Sequence, residues 1–290
     1  MAGQSSPGTR PGTTITRPIP EKRSFNRWII AIVTIVIVVI GVLFGLIYQS
    51  SVIVSTKNFS YNPPKNQSGY YTLQIANVNG AVKLASWGED TFLINGTVTA
   101  KGLGSSPSQV SLVNSTISGN ITFRAQFPNN AVFLISQAYS VKINVFMPAS
   151  VQIGKLVVEN VNGLVQASSL NVTAASLSAE NGDVDFSCSS CGGGRFSAHT
   201  TNGNIAGSFS RPVIAGNYDL TTQNGNVVVT VPSVSSFKLT ASLVNGNIQT
   251  MNLTLSNEIK TSGQVTATAG TGTAIIGLST VNGLIMIAGT

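Results

Sequence analysis

Two hydrophobic patterns divide the chain. From Trp28 to Tyr48 the sequence WIIAIVTIVIVVIGVLFGLIY is apolar and uncharged throughout. As an α-helix rising about 1.5 Å per residue it reaches ~32 Å, enough to cross a hydrocarbon core of about 30 Å. Trp28 and Tyr48 stand at its two ends, where amphipathic rings favour the headgroup level. After residue 50 the pattern changes to alternation. Val184, Phe186 and Cys188 interleave with Asp183, Asp185 and Ser187, and Phe237, Leu239, Ala241 and Leu243 with Lys238, Thr240 and Ser242. A period of two places the apolar set on one face of a strand. No amphipathic helix period follows residue 50, so the spacing predicts an all-β ectodomain preceded by one transmembrane helix.

Within the β part a short motif recurs, a β-type stretch running into Asn-Gly or Ser-Gly, one further residue, then Val or Ile. The copies are VNGAV (78–82), INGTV (94–98), SGNI (118–121), VNGLV (161–165), ENGDV (180–184), TNGNI (201–205), QNGNV (223–227), VNGNI (244–248), SGQV (262–265) and VNGLI (281–285). From Gly163 onward the glycines are spaced by 17 to 22 residues, at 182, 203, 225, 246, 263 and 283. Such a period marks a repeat architecture. Asn and Gly adopt positive φ at little cost, so each copy is expected to turn the chain between strands. A unit of about 20 residues cannot bury its own apolar face and must stack on its neighbours. A β-solenoid and a pile of hairpins both satisfy the spacing. Residues 71–150 follow it less regularly and are expected to form the capping end.

Charge orients the predicted helix. Residues 1–27 carry Arg10, Arg17, Lys22, Arg23 and Arg27 against Glu21, whereas the 20 residues after the helix hold only Lys57 and Lys65. The positive-inside rule therefore places the N-terminus in the cytoplasm and the C-terminal part outside. The apolar run is longer than the 7–15 residues of a signal-peptide core, and no A-x-A-like site follows Tyr48, which favours an uncleaved signal-anchor in the cell membrane. The expected organisation is a disordered basic tail (1–27), the transmembrane helix (28–48), a stalk or first strand (49–70) and the extracellular β-repeat domain (71–290). The bilayer is thus the first partner. Gly41 and Gly45 form a GxxxG pair, a candidate contact for a homodimer through the helix. The formal net charge of +7 owes +4 to the tail, leaving 11 Lys/Arg against 8 Asp/Glu beyond it. With no basic cluster interleaved with aromatics, nucleic acid is not expected as a partner.

A longer unit occurs twice. Val145-Phe146-Met147-Pro148-Ala149-Ser150 precedes Leu156–Val161 and Asn162-Gly163, and Val229-Thr230-Val231-Pro232-Ser233 precedes Phe237–Val244 and Asn245-Gly246. A strand ending in Pro, a short linker, and a strand entering Asn-Gly-x-Val/Ile resembles the candidate-adhesin, or toastrack-like, β-repeat family of prokaryotic surface and envelope domains. The resemblance covers roughly residues 75–290. It implies a β-solenoid-like fold and an extracytoplasmic location, and no catalytic residues.

Seven Asn-x-Ser/Thr sequons lie beyond the predicted helix, at Asn58, Asn66, Asn95, Asn114, Asn120, Asn171 and Asn252, and none lies before it. In a chain this rich in Asn, Ser and Thr some arise by composition alone, yet their placement agrees with the orientation, and N-glycans belong on exterior loops. Together with a prokaryotic-type repeat they point to an archaeal glycoprotein. Cys188 and Cys191 are the only cysteines, within C-S-S-C-G-G-G. A redox centre would want a βαβ setting and zinc would want two more ligands, whereas the chain has one histidine, His199. A local disulfide at the Gly192–Gly194 turn is the expectation for an oxidising exterior. Glu180, Asp183 and Asp185 are the densest acids, but their spacing departs from an EF-hand, and a solvated strand face is the simpler reading. No catalytic, cofactor or metal residue is expected.

The function expected from these features is adhesion or envelope scaffolding, through surface-layer components, envelope components or glycans. Sensing through the short tail is the alternative. An enzyme is disfavoured because the scattered acids offer no carboxylate pair across a groove.

Overall fold

The computed structural model describes residues 27–52, 54–65, 69–102, 104–128 and 138–290, and the side chains of all of these except residues 27 and 46–52. Two compact units make up the chain, Met1–Leu46 and Ile47–Thr290. Helix α1 (Arg27–Val52) contains the whole predicted apolar run. The window Trp28–Gly45 is apolar enough to cross a membrane, and none of it is buried against protein. Its one hydroxyl in that window is satisfied locally, Thr34 Oγ1 donating to the Ile30 carbonyl at 2.8 Å. A helix so rich in β-branched residues is a poor one in water. In lipid it is favoured because its backbone groups have no other partners.

The β part holds eighteen strands: β1 (Val54–Tyr61), β2 (Tyr71–Asn79), β3 (Val82–Trp87), β4 (Leu93–Lys101), β5 (Ser111–Ile117), β6 (Asn120–Gln126), β7 (Ala138–Pro148), β8 (Ile153–Asn162), β9 (Val165–Asn181), β10 (Val184–Cys191), β11 (Arg195–Asn202), β12 (Ile205–Phe209), β13 (Asn217–Asn224), β14 (Val227–Val231), β15 (Phe237–Met251), β16 (Leu255–Lys260), β17 (Gln264–Ala269) and β18 (Ala274–Gly289). They form two faces. The first runs β5-β6-β2-β8-β9-β11-β13-β18-β15-β17-β16. The second runs β1-β4-β7-β3-β9-β10-β12-β14-β18-β15. The long strands β9, β15 and β18 serve both faces. Pairing is parallel through the middle and antiparallel only toward the ends, so the stack is a β-solenoid and not a pile of hairpins. Val54–Tyr61, in the segment read as stalk or first strand, takes the second role.

Each coil lays a strand on the first face, turns through Asn-Gly, and lays a strand on the second. The corner is built identically from coil to coil. The Gly N–H donates to the Asn carbonyl of the next coil, as in Gly163 to Asn181, Gly182 to Asn202 and Gly203 to Asn224, at 2.9–3.0 Å. Just inside the corner, the Val or Ile of seven motif copies, extended by Ile143 of β7, stacks into one ladder, Ile143-Val82-Val165-Val184-Ile205-Val227-Ile285-Ile248. All eight are buried. β-Branched side chains suit this place because they pack on a pleated surface and lose little rotamer freedom there. Where the two faces converge, Phe186 lies 4.6 Å from Phe196 and Phe209 lies 5.1 Å from Tyr218, centroid to centroid. Gly207 makes room for the first ring, since a Cβ there would meet Phe186 Cζ at 2.3 Å.

Three of the ten motif copies are not corners. INGTV lies inside β4, and SGNI and SGQV are the hairpin turns β5–β6 and β16–β17. They resemble corners because a hairpin also needs small, turn-tolerant residues. The spacing of 17 residues from Gly246 to Gly263 therefore measures a hairpin, and the coil that starts at Asn245 runs on to Asn282. Elsewhere the uneven period arises at the opposite corner, where the connections between faces differ in length, from the uninterrupted β9 to the 210–216 loop.

Candidate functional site

The surface chemistry follows from the strand register. Residues between the buried positions of each strand point outward, and parallel in-register pairing lines them up across coils. On the first face one such row reads Arg124-Ala76-Glu159-Ser178-His199-Thr221-Ser279-Ser242. On the second face another reads Lys83-Gln166-Asp185-Ala206-Val228-Met286. Small polar side chains dominate the first row, so the face is nearly flat. A shallow depression of about 550 Å³ lies around Glu159, Ser178, Glu180, His199 and Arg124. A second, of about 380 Å³, lies over Gln166, Ser168, Asp185, Ser187 and Ser208.

The corner between the faces carries a polar spine. The seven corner asparagines form an unbroken side-chain ladder, each Nδ2 donating to the next Oδ1 at 2.8–2.9 Å. It runs from Asn245 to Asn282, Asn224, Asn202, Asn181, Asn162 and Asn79. Beneath it, buried side chains two residues upstream bond the corner glycine carbonyls. Thr200 donates to Gly182, Thr222 to Gly203, Thr280 to Gly225 and Asn160 to Gly80, at 2.7–2.9 Å. A third line of contacts runs just past the corner, where Asp183 Oδ1 accepts from the Asn204 N–H (2.7 Å), Asn204 Oδ1 from the Asn226 N–H (2.9 Å) and Asn226 Oδ1 from the Leu284 N–H (2.8 Å). These side chains hold one coil on the next. Each internal ladder amide commits one N–H and one lone pair to the stack, and the flat faces are the broader surfaces open to a ligand.

This architecture matches a known family, whose model covers residues 63–288 under the description Toastrack DUF4097. The chain belongs to the toastrack family. Solved structures similar to it include a candidate cell adhesion protein from Clostridium sporogenes, 11% identical, with 81% of this chain and 100% of that one covered and a TM-score of 0.44. A candidate adhesin from Bacteroides fragilis is 14% identical over 82% of this chain and 98% of that one, with a TM-score of 0.36. A protein from Parabacteroides distasonis described as a candidate lipid-binding protein is 10% identical over 83% of this chain and 98% of that one, with a TM-score of 0.29. No curated protein sequence matches the chain.

On this toastrack scaffold the residues singled out above fall in distinct places. The sulfurs of Cys188, in β10, and Cys191, at its end, are bonded, with Cα atoms 5.5 Å apart. They lie beside the Gly192–Gly194 turn, at the variable corner. Nearby, Tyr218 Oη donates to the Cys191 carbonyl at 2.6 Å, and burial raises the Tyr218 pKa. Of the three acids, Asp183 is engaged with Asn204 as a corner cap, while Asp185 stands on the second face. Partial burial, then the nearby Asp183 charge, raises the Asp185 pKa. No group of His, Cys, Asp and Glu that could hold a metal occurs among the described residues. His199 sits on the first face between Ser178 and Thr221.

Among the sequons, Asn58, Asn114, Asn120 and Asn252 are exposed, Asn95 and Asn171 are half-buried, and Asn66 lies outside the described residues. Reading the sequence alone missed the asparagine ladder, although its signal was present. The corner motif keeps Asn directly before Gly seven times, where a turn would also accept Asp or Ser. Unlike an ionised Asp, the Asn amide both donates and accepts, and unlike the short Ser hydroxyl it extends far enough to bond the same residue one coil on, so it continues a ladder.

Proposed function

We propose that this toastrack protein is a non-catalytic, N-glycosylated surface protein held in the cell membrane by α1, with its N-terminus in the cytoplasm. Its solenoid is outside and serves adhesion or envelope scaffolding by binding extended envelope components, such as surface-layer chains or glycans. The observation that carries this reading is the pair of flat, shallow faces with side chains in register, the first lined mainly by small polar residues. Small-molecule sites are concave and mostly apolar. A flat polar ladder repeating at the spacing between strands, about 4.8 Å, instead suits a linear polymer laid along it. Belonging to a family with structural neighbours described as candidate adhesins agrees with this. The GxxxG pair Gly41 and Gly45 in α1 would let two anchors associate, because helix backbones approach closely where no side chain intervenes.

The test uses the full chain in lipid nanodiscs, titrated with envelope polysaccharide and surface-layer protein from its own host. Ser178→Trp places a bulky ring in the middle of the first face, and Ser187→Trp does so on the second. Saturable binding abolished by one of these and kept by the other supports the reading and identifies the contact face. Absence of saturable binding to either component, with the β-rich circular dichroism intact, would overturn it.

A further inference from the structure

The exposed sequons are not spread along the stack. Asn58 is on β1, the outermost strand of the second face at one end. Asn114 is on β5, the outermost strand of the first face at that same end, and Asn120 lies just past the β5–β6 turn. Asn252 directly follows β15, the outermost strand of the second face at the opposite end. Between the ends, the only sequon among the described residues is the half-buried Asn171, and Asn95 on β4 is half-buried with its Oδ1 accepting from Asn144 Nδ2 at 3.2 Å.

The same ends carry the features that invite association. Solenoid ends expose strand edges whose N–H and C=O groups template further pairing, and natural repeat stacks protect them. At the β15 end, Ile248–Met251 pair only with β18 among the described residues, and the asparagine ladder terminates on Asn245. Large aliphatic side chains are also exposed there, Val244 at 71%, Ile259 at 67% and Met251 at 48%. At the other end Ile117 is 69% exposed on β5. Asn114 faces Phe123 across the β5–β6 pair, on the side of the sheet that looks over the end of the core. Phe59 stacks on Phe123 at 5.4 Å beside it.

We propose that N-glycans on Asn58, Asn114, Asn120 and Asn252 cap both ends of the solenoid and cover the strand edges and aliphatic side chains on which a second copy of this chain would otherwise stack. The occupant is a second copy because the β15 coil offers what every internal coil already accepts, namely a strand edge and an asparagine ladder in the stacking register, while β1 and β5 offer strand edges at the other end. The donor is a lipid-linked oligosaccharide phosphate. The bond from its anomeric carbon to the phosphate oxygen breaks, the carbon bonds to the Asn Nδ2, and one amide proton leaves with the lipid phosphate. The inference rests on the glycosylated exterior proposed above.

Glycopeptide mass spectrometry on the full chain from its own membranes measures occupancy first. Glycans at the four end sites are expected. If no sequon is modified, both the glycosylated exterior and this inference fall. If Asn95 or Asn171 is modified and the end sites are not, this inference alone falls. The second step compares particle mass in dodecyl maltoside. The combined N58Q, N114Q, N120Q and N252Q chain is expected to show at least a two-fold increase over the native chain, and the N95Q, N171Q chain no change. A second end variant, S60A with T122A and T254A, keeps every asparagine and removes three of the four acceptors, so a folding defect in the first variant cannot decide the result. An unchanged mass for the folded end variants overturns the proposal.

Discussion

The middle of the solenoid and its ends solve stacking in different ways. In the middle, from β8 to β14, chain order and spatial order agree, and each coil repeats its neighbour down to the asparagine amide. At the ends they disagree. Coil β2–β3 is laid first, the chain builds β4 to β7 outside it, then returns to place β8 on its inner side. At the far end β15 is laid one position away from β13, and β18 fills the gap, pairing in parallel with β13 and β14 on one side and β15 on the other. Both ends are then finished with antiparallel strands, β1, β4 and β5 at one and β16 and β17 at the other. Identical coils make a stack that could grow indefinitely. The reordered, antiparallel ends break that repeat.

Four measurements would break or sharpen this contrast. The largest effect is expected from deleting residues 274–290. In the sequence this trims the last motif copy, but in the structure it removes an internal coil with buried Ile276, Leu278, Ile285 and Ile287. At about 2–3 kcal/mol for each such side chain the loss is on the order of 10 kcal/mol. Denaturant unfolding should then show β15–β17 melting separately from the rest, and a single unchanged transition would contradict the inserted position of β18.

Next is the corner itself. A Cβ at Gly203 would meet the Gly182 carbonyl oxygen at 2.1 Å, a backbone atom that cannot yield. Gly203→Ala is expected to cost roughly 3 kcal/mol. Gly192, at the variable corner, has nothing within 4 Å of the same position. Its alanine variant should unfold within about 0.5 kcal/mol of the native chain. Equal effects at the two corners would show that glycine is needed there for something other than close approach.

Smaller still is the ladder. Asn202 sits between two ladder partners, Asn181 and Asn224, while Asn245 ends the ladder with one, Asn282. With about 1 kcal/mol net per hydrogen bond, Asn202→Ala should cost about twice as much as Asn245→Ala, about 2 against about 1 kcal/mol. Chemical denaturation of the two variants reads the ratio, and equal losses would mean the ladder bonds are not the stabilising contact.

The smallest effect concerns pH. The Asp185 pKa is raised in the folded protein, by desolvation first and by Asp183 second. Between the usual carboxylate pKa and the raised one, the folded state holds more proton than the unfolded state. Stability from this group therefore falls as pH rises through that window and recovers on mild acidification. Asp185→Asn should flatten that part of the stability–pH curve. An unaltered slope would place its cause elsewhere.

How much was legible in the sequence follows the same divide. Alternation placed Phe237, Leu239, Ala241 and Leu243 inside, and the apolar run gave α1, because both depend only on local periodicity. The motif named all seven corners but also three false ones, because Gly with Asn or Ser serves a hairpin turn or a strand interior equally well. The sequons could be located but not ranked, since exposure of Asn58, Asn114, Asn120 and Asn252 depends on which strands end up outermost.

By itself, then, the amino-acid sequence determined the membrane-length helix, the in-and-out pattern of clearly alternating strands such as β10 and the start of β15, and the corner chemistry that commits the chain to stacking. These are local matters of periodicity, turn geometry and side-chain shape. Only the tertiary structure decided the order of the coils. The corners are nearly interchangeable, so the free energy of stacking one on another scarcely depends on which two they are. The choice falls to the connections, which let β18 reach back and β6 reach outward, and to the antiparallel strands that close each end.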